Sequence, residues 1–450
     1  MKRIEEMKTL DRVRERYVPE KVKRLSEEEM QWFRDAKFGM FIHWGLYSLL
    51  GKGEWVLFDE KMDVGEYAKL ADDFHAPEFN AKEWARTAKA AGMKYMVLTT
   101  RHHDGFSLFD SKASAYNSMN GAAHKDFVRE YVEACRSEGL KVGFYYSPLD
   151  WRFPGYFFPE MFWGNAMEMK RQCWEQLREL MTDYGKIDLL WFDGEWLALG
   201  GIDWDYGEGW YRKPDWPNSK FFKVNYFWES EKLVNRIRKW QPGIMINNRG
   251  GWEGDFHVRE RRIDGIRTDK PWDSNDCIAD SWGYMPDKPV LSLAQLIKNL
   301  TAIVTRDGNY LLNVGPMGNG RMDGEQVERL LQLGKWMEKY GESIYGTRGG
   351  PVIPGLWGGS VYRGNKVYLH ITSWEKDRIV FPNPGKKLIA FGSLNVSSVL
   401  VTEKDGNLEV EVPMEHRDPY DTIICLEYEE EICWEGVKDR EKDVYGESEA

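Results

Sequence analysis

Cysteine is scarce in this sequence, and no signal for export or membrane insertion is visible. The chain has five cysteines among 450 residues, and no two of them form a CxxC pair. This usage argues against a disulfide framework and against a cysteine-ligated zinc site, and it fits a reducing compartment. Residues 1–18 contain no apolar core of a secretory signal, and no apolar run approaches the about 18 residues that cross a bilayer. We therefore expect a cytoplasmic protein with no membrane partner.

Acidic residues outnumber basic ones, which argues against nucleic acid as a partner. Lys plus Arg number 62 against 73 Asp plus Glu, so the formal net charge is −11. A net acidic surface repels phosphate backbones, and nucleic acid is not expected to bind. Aromatic residues are abundant instead, with 21 Trp, 22 Tyr and 21 Phe. Most aromatic rings fill cores, but tryptophan on a concave surface also stacks on sugars, and composition leaves both roles open.

Several catalytic signatures are missing. Neither GxGxxG nor a P-loop follows any apolar run, which weakens a nucleotide-binding fold. No GxSxG elbow is present, so nucleophilic catalysis by serine is set aside. Metal hydrolysis by His43, His102 and His103 with Asp193 is disfavoured, because HExxH and HxH are absent and adjacent histidines on a strand point to opposite faces. We expect neither a metal nor a cofactor.

Short apolar runs alternate with helical patterns through most of the chain. Six runs of β-branched and aromatic residues are typical of strands buried on both faces, at 38–41, 95–100, 142–147, 187–192, 244–247 and 310–314. Patterns with a 3.6-residue period fill segments between and after them, at 164–184, 292–305 and 323–340. An open doubly wound sheet and a closed (β/α)8 TIM-like barrel both fit this order. The barrel is favoured because polar residues follow nearly every strand.

The pattern changes after about residue 345. Alternating runs such as 366–372 and 407–412, separated by Gly, Pro and Asn, predict an antiparallel β-sandwich. The predicted units are therefore a catalytic (β/α)8-like barrel with an N-terminal helical segment, a C-terminal β-sandwich and a charged tail, at 1–345, 346–435 and 436–450. Residues 200–228 fit no element and hold ten aromatics. They are expected either to overhang the site or to form a packing flap or a subunit contact in a homo-oligomer.

A barrel would gather the residues that follow its strands into one cleft. Those residues are His43, His102, His103, Asp150, Asp193 and Arg249, with Trp44, Tyr145 and Trp191 nearby. Glycosidases need one carboxylate as nucleophile or base and another as acid. Asp193 is the strongest candidate, because it ends an apolar strand and precedes Gly194, which allows close approach of a ligand. The alternative role of an aspartate after a strand is to cap a helix.

Several segments resemble the retaining α-L-fucosidases of glycoside hydrolase family 29. They are FGMFIHWG at 38–45, EW at 54–55, RHHDGF at 101–106, YYS at 145–147, WFDG at 191–194, NNR at 247–249, SWGY at 281–284 and GNYLLNVGP at 308–316. The FGxFIHWG and HHDGF strings together are highly specific. The resemblance covers roughly residues 30–345. The β-sandwich that follows the barrel in this family agrees with the change of pattern near residue 345.

The resemblance assigns residues to roles. Asp193 matches the family's nucleophile, which forms a covalent fucosyl-enzyme. The residues that match the fucose-lining positions, together with Glu54 beside them, are His43, Glu54, Trp55, His102, His103, Tyr145, Trp191 and Arg249. These residue types suit the ligand, because fucose is a 6-deoxy sugar that needs polar partners on one side and aromatic contact for its C5 methyl group on the other.

The general acid/base has three candidates, since the family does not keep it at one aligned position. Glu260 is favoured because it matches a glutamate that follows a Gly-Asp-Phe segment in some members, here at 254–256. In other members the acid lies in a Trp-Glu pair, which here is Trp272-Asp273, so Asp273 is the second candidate. Glu54 is the third.

The neighbours of Glu260 depart from the family's pattern. Val258-Arg259 stands where the family often has Thr-Pro or Thr-Ala. Arg259, Arg261 and Arg262 flank Glu260, and if they pointed at it they would favour its ionised form, which is wrong for a general acid.

The resemblance implies a retaining exo-α-L-fucosidase that removes terminal α-linked L-fucose from fucosylated oligosaccharides by double displacement. One alternative is a non-catalytic fucose-binding protein on the same scaffold. The other is a retaining glycosidase for a related 6-deoxy or galacto-configured sugar.

Overall fold

A computed structural model describes residues 8–159, 161–197, 222–223, 225–263, 265–374 and 376–436. Its α-helices are α1 Lys8–Arg16, α2 Glu27–Ala36, α3 Tyr47–Leu50, α4 Val56–Asp59, α5 Val64–Ala68, α6 Ala81–Ala90, α7 Phe127–Ser137, α8 Pro154–Phe157, α9 Trp163–Thr182, α10 Asn225–Trp228, α11 Ser230–Trp240, α12 Leu293–Val304 and α13 Gly324–Tyr340. The strands are β1 Phe38–Ile42, β2 Tyr95–Arg101, β3 Lys141–Tyr146, β4 Leu189–Phe192, β5 Trp196–Leu197, β6 Phe222–Lys223, β7 Met245–Ile246, β8 His257–Glu260, β9 Trp272–Cys277, β10 Asn309–Val314, β11 Arg348–Gly349, β12 Gly358–Arg363, β13 Lys366–Ile371, β14 Arg378–Pro382, β15 Leu388–Ser393, β16 Leu400–Lys404, β17 Asn407–Glu411 and β18 Thr422–Tyr428.

Eight parallel strands form the first sheet of the fold. Their order is β7-β4-β3-β2-β1-β10-β9-β8. The two end strands meet through a parallel bridge between Asn247 and Phe256, and the Asp255 amide donates to the Ile246 carbonyl oxygen at 2.8 Å. The predicted TIM-like barrel is therefore confirmed, and the alternative of an open doubly wound sheet is not.

Side-chain caps explain where several of the surrounding helices begin. Ser26 accepts from the Glu29 amide at 3.2 Å while the Glu29 carboxylate accepts from the Ser26 amide at 2.8 Å, which is a capping box at the start of α2. Ser292 and Gln295 repeat this arrangement at α12. These reciprocal bonds satisfy amides that the first helical turn leaves unpaired.

Strands β8 and β9 were not predicted from the sequence. Their sequences, HVRE and WDSNDC, are polar, because alternate positions face the barrel interior near the site rather than an apolar layer. Among the described residues, no α-helix lies between β7 and β8, where only the short 3-10 helix Asn248–Gly250 is found, or between β8 and β9. The regular alternation of strand and helix therefore fails over this third of the barrel.

The barrel interior has its own apolar core, which is closed at the amino ends of the strands. Phe33 of α2 packs against Tyr95 and Phe256 at ring-centroid distances of 5.8 and 4.8 Å. Above them, Leu189 and Trp191 alternate along β4 and lead to the next inward position, Asp193. Because α2 blocks the lower end, ligands can approach the inward polar residues only from the carboxyl ends of the strands.

Two antiparallel sheets follow the barrel, as the sequence predicts. One has the order β11-β12-β13-β18-β15 and the other β14-β17-β16. Their inner faces share an apolar core that includes Leu369, Phe381, Leu408 and Leu426. The predicted unit boundaries at 345/346 and 435/436 stay predictions, and residues 437–450 of the expected tail lie outside the described part.

A buried ion cluster joins the base of the barrel to the first strand of the sandwich. Asp307 accepts from Lys37 at 3.0 Å and from Arg34 at 3.2 Å. It also accepts from the Gly349 amide of β11 at 3.1 Å. Burial lowers the pKa of Lys37, and the Asp307 charge opposes that shift. The cluster therefore ties three distant segments to one carboxylate.

The expected aromatic cover of the site falls largely outside the described residues. Of residues 200–228, the structure describes 222–223 and 225–228. Strand β6 pairs in antiparallel fashion with β5, which directly follows the site strand β4.

Candidate active site

A cavity of about 320 Å³ opens at the carboxyl ends of the barrel strands. Its lining residues are Phe41, His43, Glu54, Trp55, His102, Tyr145, Trp191, Asp193, Trp196, Arg249, Glu260, Asn275 and Trp282. The structure thus brings together nearly all of the predicted site residues. His103 lies just behind the wall, 3.6 Å from Asp193, and Asp273 lies below the floor.

Asp193 is the best-supported carboxylate in the cavity. Tyr145 donates to its Oδ2 and Arg249 to its Oδ1, both at 3.1 Å. Burial raises the pKa of Asp193, and the Arg249 charge and the Tyr145 hydrogen bond oppose that rise. The two donors therefore stabilise the anionic form that a nucleophile needs.

The position of Asp193 also corrects two expectations. A helix cap is wrong, because strand β5 rather than a helix begins at Trp196. Gly194 is required by packing, since its φ is 89° and a Cβ there would lie 2.7 Å from the Leu149 side chain. The glycine serves the tight turn after β4, and the expected ligand approach is not what demands it.

Glu260 lies at the mouth of the cavity, at the end of β8. Its side chain is 40 % exposed and accepts from Arg249 at 2.6 Å. Arg261, which follows it in sequence, turns away and donates to Asp280 at 2.9 Å and to the Cys277 sulfur at 3.3 Å. The arginine that contacts Glu260 is thus the one that also holds Asp193.

The two alternative acid/base candidates lie in different surroundings. Glu54 is buried and lines the cavity, and its carboxylate accepts from the Gly283 amide at 2.8 Å. Burial raises the pKa of Glu54. Asp273 has no exposed surface and accepts from the Trp191 indole at 3.2 Å. A group sealed under Trp191 has no path to a leaving group in the cavity.

Three neutral imidazoles surround the cavity. Burial lowers the pKa of both His43 and His103 to about 3, and it lowers the pKa of His102 well below its usual range. His43 bonds to Asn313 and His103 to Ser147, each at 2.7 Å. Among the residues that the structure describes, none is a hydrogen-bond partner of the His102 Nδ1 atom. Uncharged rings of this kind can bind sugar hydroxyl groups.

The histidines do not converge with carboxylates or cysteines on a common point. Within the described ranges, no group of three or more His, Cys, Asp or Glu side chains has an arrangement that fits a metal ion. The expectation of a site without metal or cofactor stays a prediction.

Aromatic rings form the floor and one wall of the cavity. Trp55, Trp191 and Phe41 were within the family-like segments, and so was Trp282, to which no role was given. Trp196 and Asn275 were missed altogether. Trp196 lies four residues after Phe192, the last residue of β4, and Asn275 lies on β9, whose polar sequence does not have the pattern of a strand.

Two residues expected in the cleft lie elsewhere. Asp150 forms buried ion pairs with Arg101 and Arg152, both at 2.6 Å, which hold its pKa at about 2 despite burial. Trp44 packs among aromatic rings of the outer core, with its indole donating to the Met317 carbonyl oxygen at 2.8 Å. Both residues turn outward because positions after a strand do not all face the barrel axis.

The sequence of this chain matches a known protein family and its members. The family model described as Alpha-L-fucosidase matches residues 6–342. Tissue alpha-L-fucosidase of Bos taurus is 31% identical, over 74% of this chain and 72% of the relative.

Solved structures agree with that comparison. Alpha-L-fucosidase isoenzyme 1 from Paenibacillus thiaminolyticus has 33% sequence identity and a TM-score of 0.76, covering 90% of this chain and 99% of that one. A trapped covalent intermediate of an alpha-L-fucosidase from Bacteroides thetaiotaomicron, in complex with 2-fluoro-fucosyl fluoride, has 27% identity and a TM-score of 0.77, covering 92% of this chain and 99% of that one.

Proposed function

The chain belongs to the alpha-L-fucosidase family, and on this premise we propose that it is a retaining exo-α-L-fucosidase acting on fucosylated oligosaccharides. The observation that carries the proposal is the shared contact of Asp193 and Glu260 with Arg249 inside one cavity. A retaining enzyme needs its two carboxyl groups about 5–5.5 Å apart, and a single guanidinium that bonds both keeps them near each other.

Asp193 acts first. Its carboxylate attacks the anomeric carbon, the glycosidic bond breaks, and a covalent fucosyl ester forms. Tyr145 and Arg249 keep the carboxylate ionised and oriented through their 3.1 Å bonds. Each oxygen retains a lone pair for the attack, because each accepts one of these bonds.

Glu260 serves both steps from the mouth of the cavity. It donates a proton to the leaving oxygen in the first step and removes a proton from water in the second. Its partial exposure gives it access to the aglycone side. In the resting site Glu260 pairs with the Arg249 cation, so Glu260 turns from Arg249 to the leaving oxygen when it donates its proton in the first step. Once Asp193 is an ester, Arg249 pairs with Glu260 alone, which suits the second step, where Glu260 is a base.

Fucose itself is held by the closed end of the cavity. His43 and His102 offer neutral ring nitrogens to hydroxyl groups, and Trp55 and Trp282 offer apolar faces to the ring and its methyl group. The core of the barrel blocks the floor, so a sugar enters from one side with its aglycone toward solvent. This geometry supports release of terminal residues.

A panel of aryl glycosides tests the sugar. We expect turnover of the α-L-fucoside and little or none of galacto-configured analogues, and preference for an analogue would favour the alternative glycosidase.

The variant Asp193→Gly tests the mechanism. It should lose turnover of an aryl fucoside and regain part of it with azide, which replaces the missing nucleophile. Binding of fucose by the native protein without any hydrolysis would favour the non-catalytic alternative.

Two wider expectations stay proposals. A cytoplasmic location is supported by the sparse, unpaired cysteines and is tested by cell fractionation. A homo-oligomer is tested by light scattering of the purified chain. Among the described helices, none combines the length and the hydropathy that a membrane span requires.

A further inference from the structure

The Trp191 indole packs against Tyr145 and Arg249, the two residues that donate hydrogen bonds to Asp193. The Tyr145 ring stacks on it at a centroid distance of 5.6 Å and an interplanar angle of 18°. The Arg249 guanidinium carbon lies 5.3 Å from the centre of the indole. Because these two side chains donate to Asp193, the position of the indole decides where the nucleophile's hydrogen bonds point.

Asp273 binds the Trp191 indole from the side away from the cavity. The Trp191 indole nitrogen donates to the Oδ2 atom of Asp273 at 3.2 Å, and the buried Oδ1 atom has no hydrogen-bond partner in the described part of the chain. On β9, Asp273 lies one inward position below Asn275, which lines the cavity. The carboxyl group is therefore linked to the site through Trp191.

A carboxyl group with a buried unpaired oxygen costs stability and needs an explanation. Val258, the register partner of Asp273 on β8, belongs to the apolar core of the barrel interior, so an apolar residue would fit this layer. Within the described ranges the Asp273 carboxyl group makes its hydrogen bond to the indole, so any benefit that offsets its cost acts through Trp191.

We propose that Asp273 is a positioning residue for the reaction, which fixes and polarises the Trp191 indole and thereby sets Arg249 and Tyr145 against Asp193. The proposal rests on the proposed function, in which Asp193 is the nucleophile. An ionised acceptor makes a stronger bond to the indole N–H than a neutral one, and it draws electron density into the ring that faces the guanidinium.

The ionisation of Asp273 falls in the range where the enzyme can be assayed. Burial raises its pKa to about 7, against the opposing influence of the Trp191 hydrogen bond and the Arg249 and Arg259 charges. The Tyr95 phenol faces it from β2 and stays neutral, because burial raises its own pKa well above the usual range. The contribution of Asp273 should therefore grow as the pH rises through about 7.

The test compares Asp273→Asn with the native enzyme from pH 5 to pH 8.5. Asparagine keeps an acceptor for the indole but has no charge, so it resembles the protonated aspartate. The ratio of native to variant kcat/KM on an aryl fucoside should be near one at pH 5 and rise to about fivefold above pH 8. Ionisations that both enzymes share cancel in this ratio.

Two further variants make the result decisive. Asp276→Asn changes an aspartate on the outward face of the same strand and should leave the ratio near one at every pH. Asp273→Ala removes the acceptor and should lower kcat/KM at every pH, equally for good and poor leaving groups. If it does not fold, Asp273→Asn carries the test alone.

A ratio for Asp273→Asn that stays constant across the pH range would overturn the proposal. So would a loss in Asp273→Ala confined to poor leaving groups, because that would make Asp273 the general acid. Full turnover by Asp193→Gly, in contrast, would remove the proposed function whatever the ratios are.

Discussion

The Arg249 guanidinium donates to the Glu260 carboxylate at 2.6 Å. Its other terminal nitrogen donates to Asp193 at 3.1 Å, so one cation spans both carboxylates of the site. The three side chains come from the ends of β4 and β8 and the turn after β7. Their joint geometry therefore depends on closure of the barrel between β7 and β8.

Replacement of Arg249 should disable the chemistry more than the fold. We expect Arg249→Gln to lower kcat on an aryl fucoside roughly 100- to 1000-fold, the scale for loss of one preorganised donor in an active site. Arg249→Lys should recover little, since a single ammonium cannot match the planar fork that bonds two separate carboxylates. The surface variant Arg378→Gln, which breaks an exposed pair with Glu409, is the matched control. Native-like kcat in Arg249→Gln would contradict the assigned role.

Gly194 should tolerate no side chain. An alanine there adds a Cβ that would contact Leu149 at a φ of 89°, and the turn that carries Asp193 would have to move. Displacement of a catalytic group by about 1 Å can cost about 100-fold in rate, and we expect a loss of that order in Gly194→Ala. Gly164→Ala, with open space around its Cβ, should keep full activity in the same assay. Equal rates for the two variants would show that the turn is not constrained.

Asp307 should matter for stability and not for chemistry. Asp307→Asn leaves the fully buried Lys37 without its anionic partner, which typically costs about 3–5 kcal/mol. The melting temperature should fall by several degrees, while kcat of the folded enzyme stays native-like. Asp11→Asn, which removes an exposed pair with Arg14, should change the melting temperature very little. A melting temperature for Asp307→Asn equal to that of the native chain would refute the ion cluster's importance.

His370 gives the sandwich a pH-dependent link to the barrel. Its Nδ1 faces Asp421 at 2.6 Å and its Nε2 faces the Ser343 carbonyl oxygen at 3.2 Å, so both nitrogens are needed as donors. Burial opposes the charged ring, but the Asp421 charge and these hydrogen bonds raise the pKa of His370 overall.

The sign of the effect follows from that shift. A raised folded-state pKa contributes stability that is fully present below the unfolded value of about 6.5 and is lost as the pH rises through the folded value. The difference in melting temperature between the native chain and His370→Gln should therefore shrink above neutral pH. His416→Gln, at an exposed histidine, should show no such trend. A constant difference from pH 5 to pH 9 would mean that the ring does not titrate as described.

The sequence predicted the barrel where hydrophobic burial dictates the residue pattern. Strands β1 to β4 are apolar because both of their faces are covered, and the polar residues that follow them mark the cavity. The sequence does not predict strands β8 and β9, because their inward positions carry Glu260, Asp273 and Asn275 in place of apolar side chains. The polar side chains that give these strands a place in the site also break the apolar pattern by which a buried strand is predicted.

Other parts of the site depend on orientation, which periodicity does not give. Asp150 and Trp44 follow strands as Asp193 does, yet they point into the outer core. Glu260 was singled out only by resemblance to the family, since a glutamate among arginines has no distinguishing pattern. Its shared contact with Arg249 appears only when β7 and β8 are brought together in space.

Covalent labelling tests the central claim most directly. A 2-fluoro-fucosyl fluoride should react once with the native enzyme, because the fluorine at C2 slows hydrolysis of the ester, and mass spectrometry of the digested protein should find the label on Asp193. Asp193→Gly should remain unlabelled. A label on Glu260, Glu54 or Asp273, or turnover of an aryl fucoside without a covalent adduct under any condition, would contradict the assignment of Asp193 as the nucleophile.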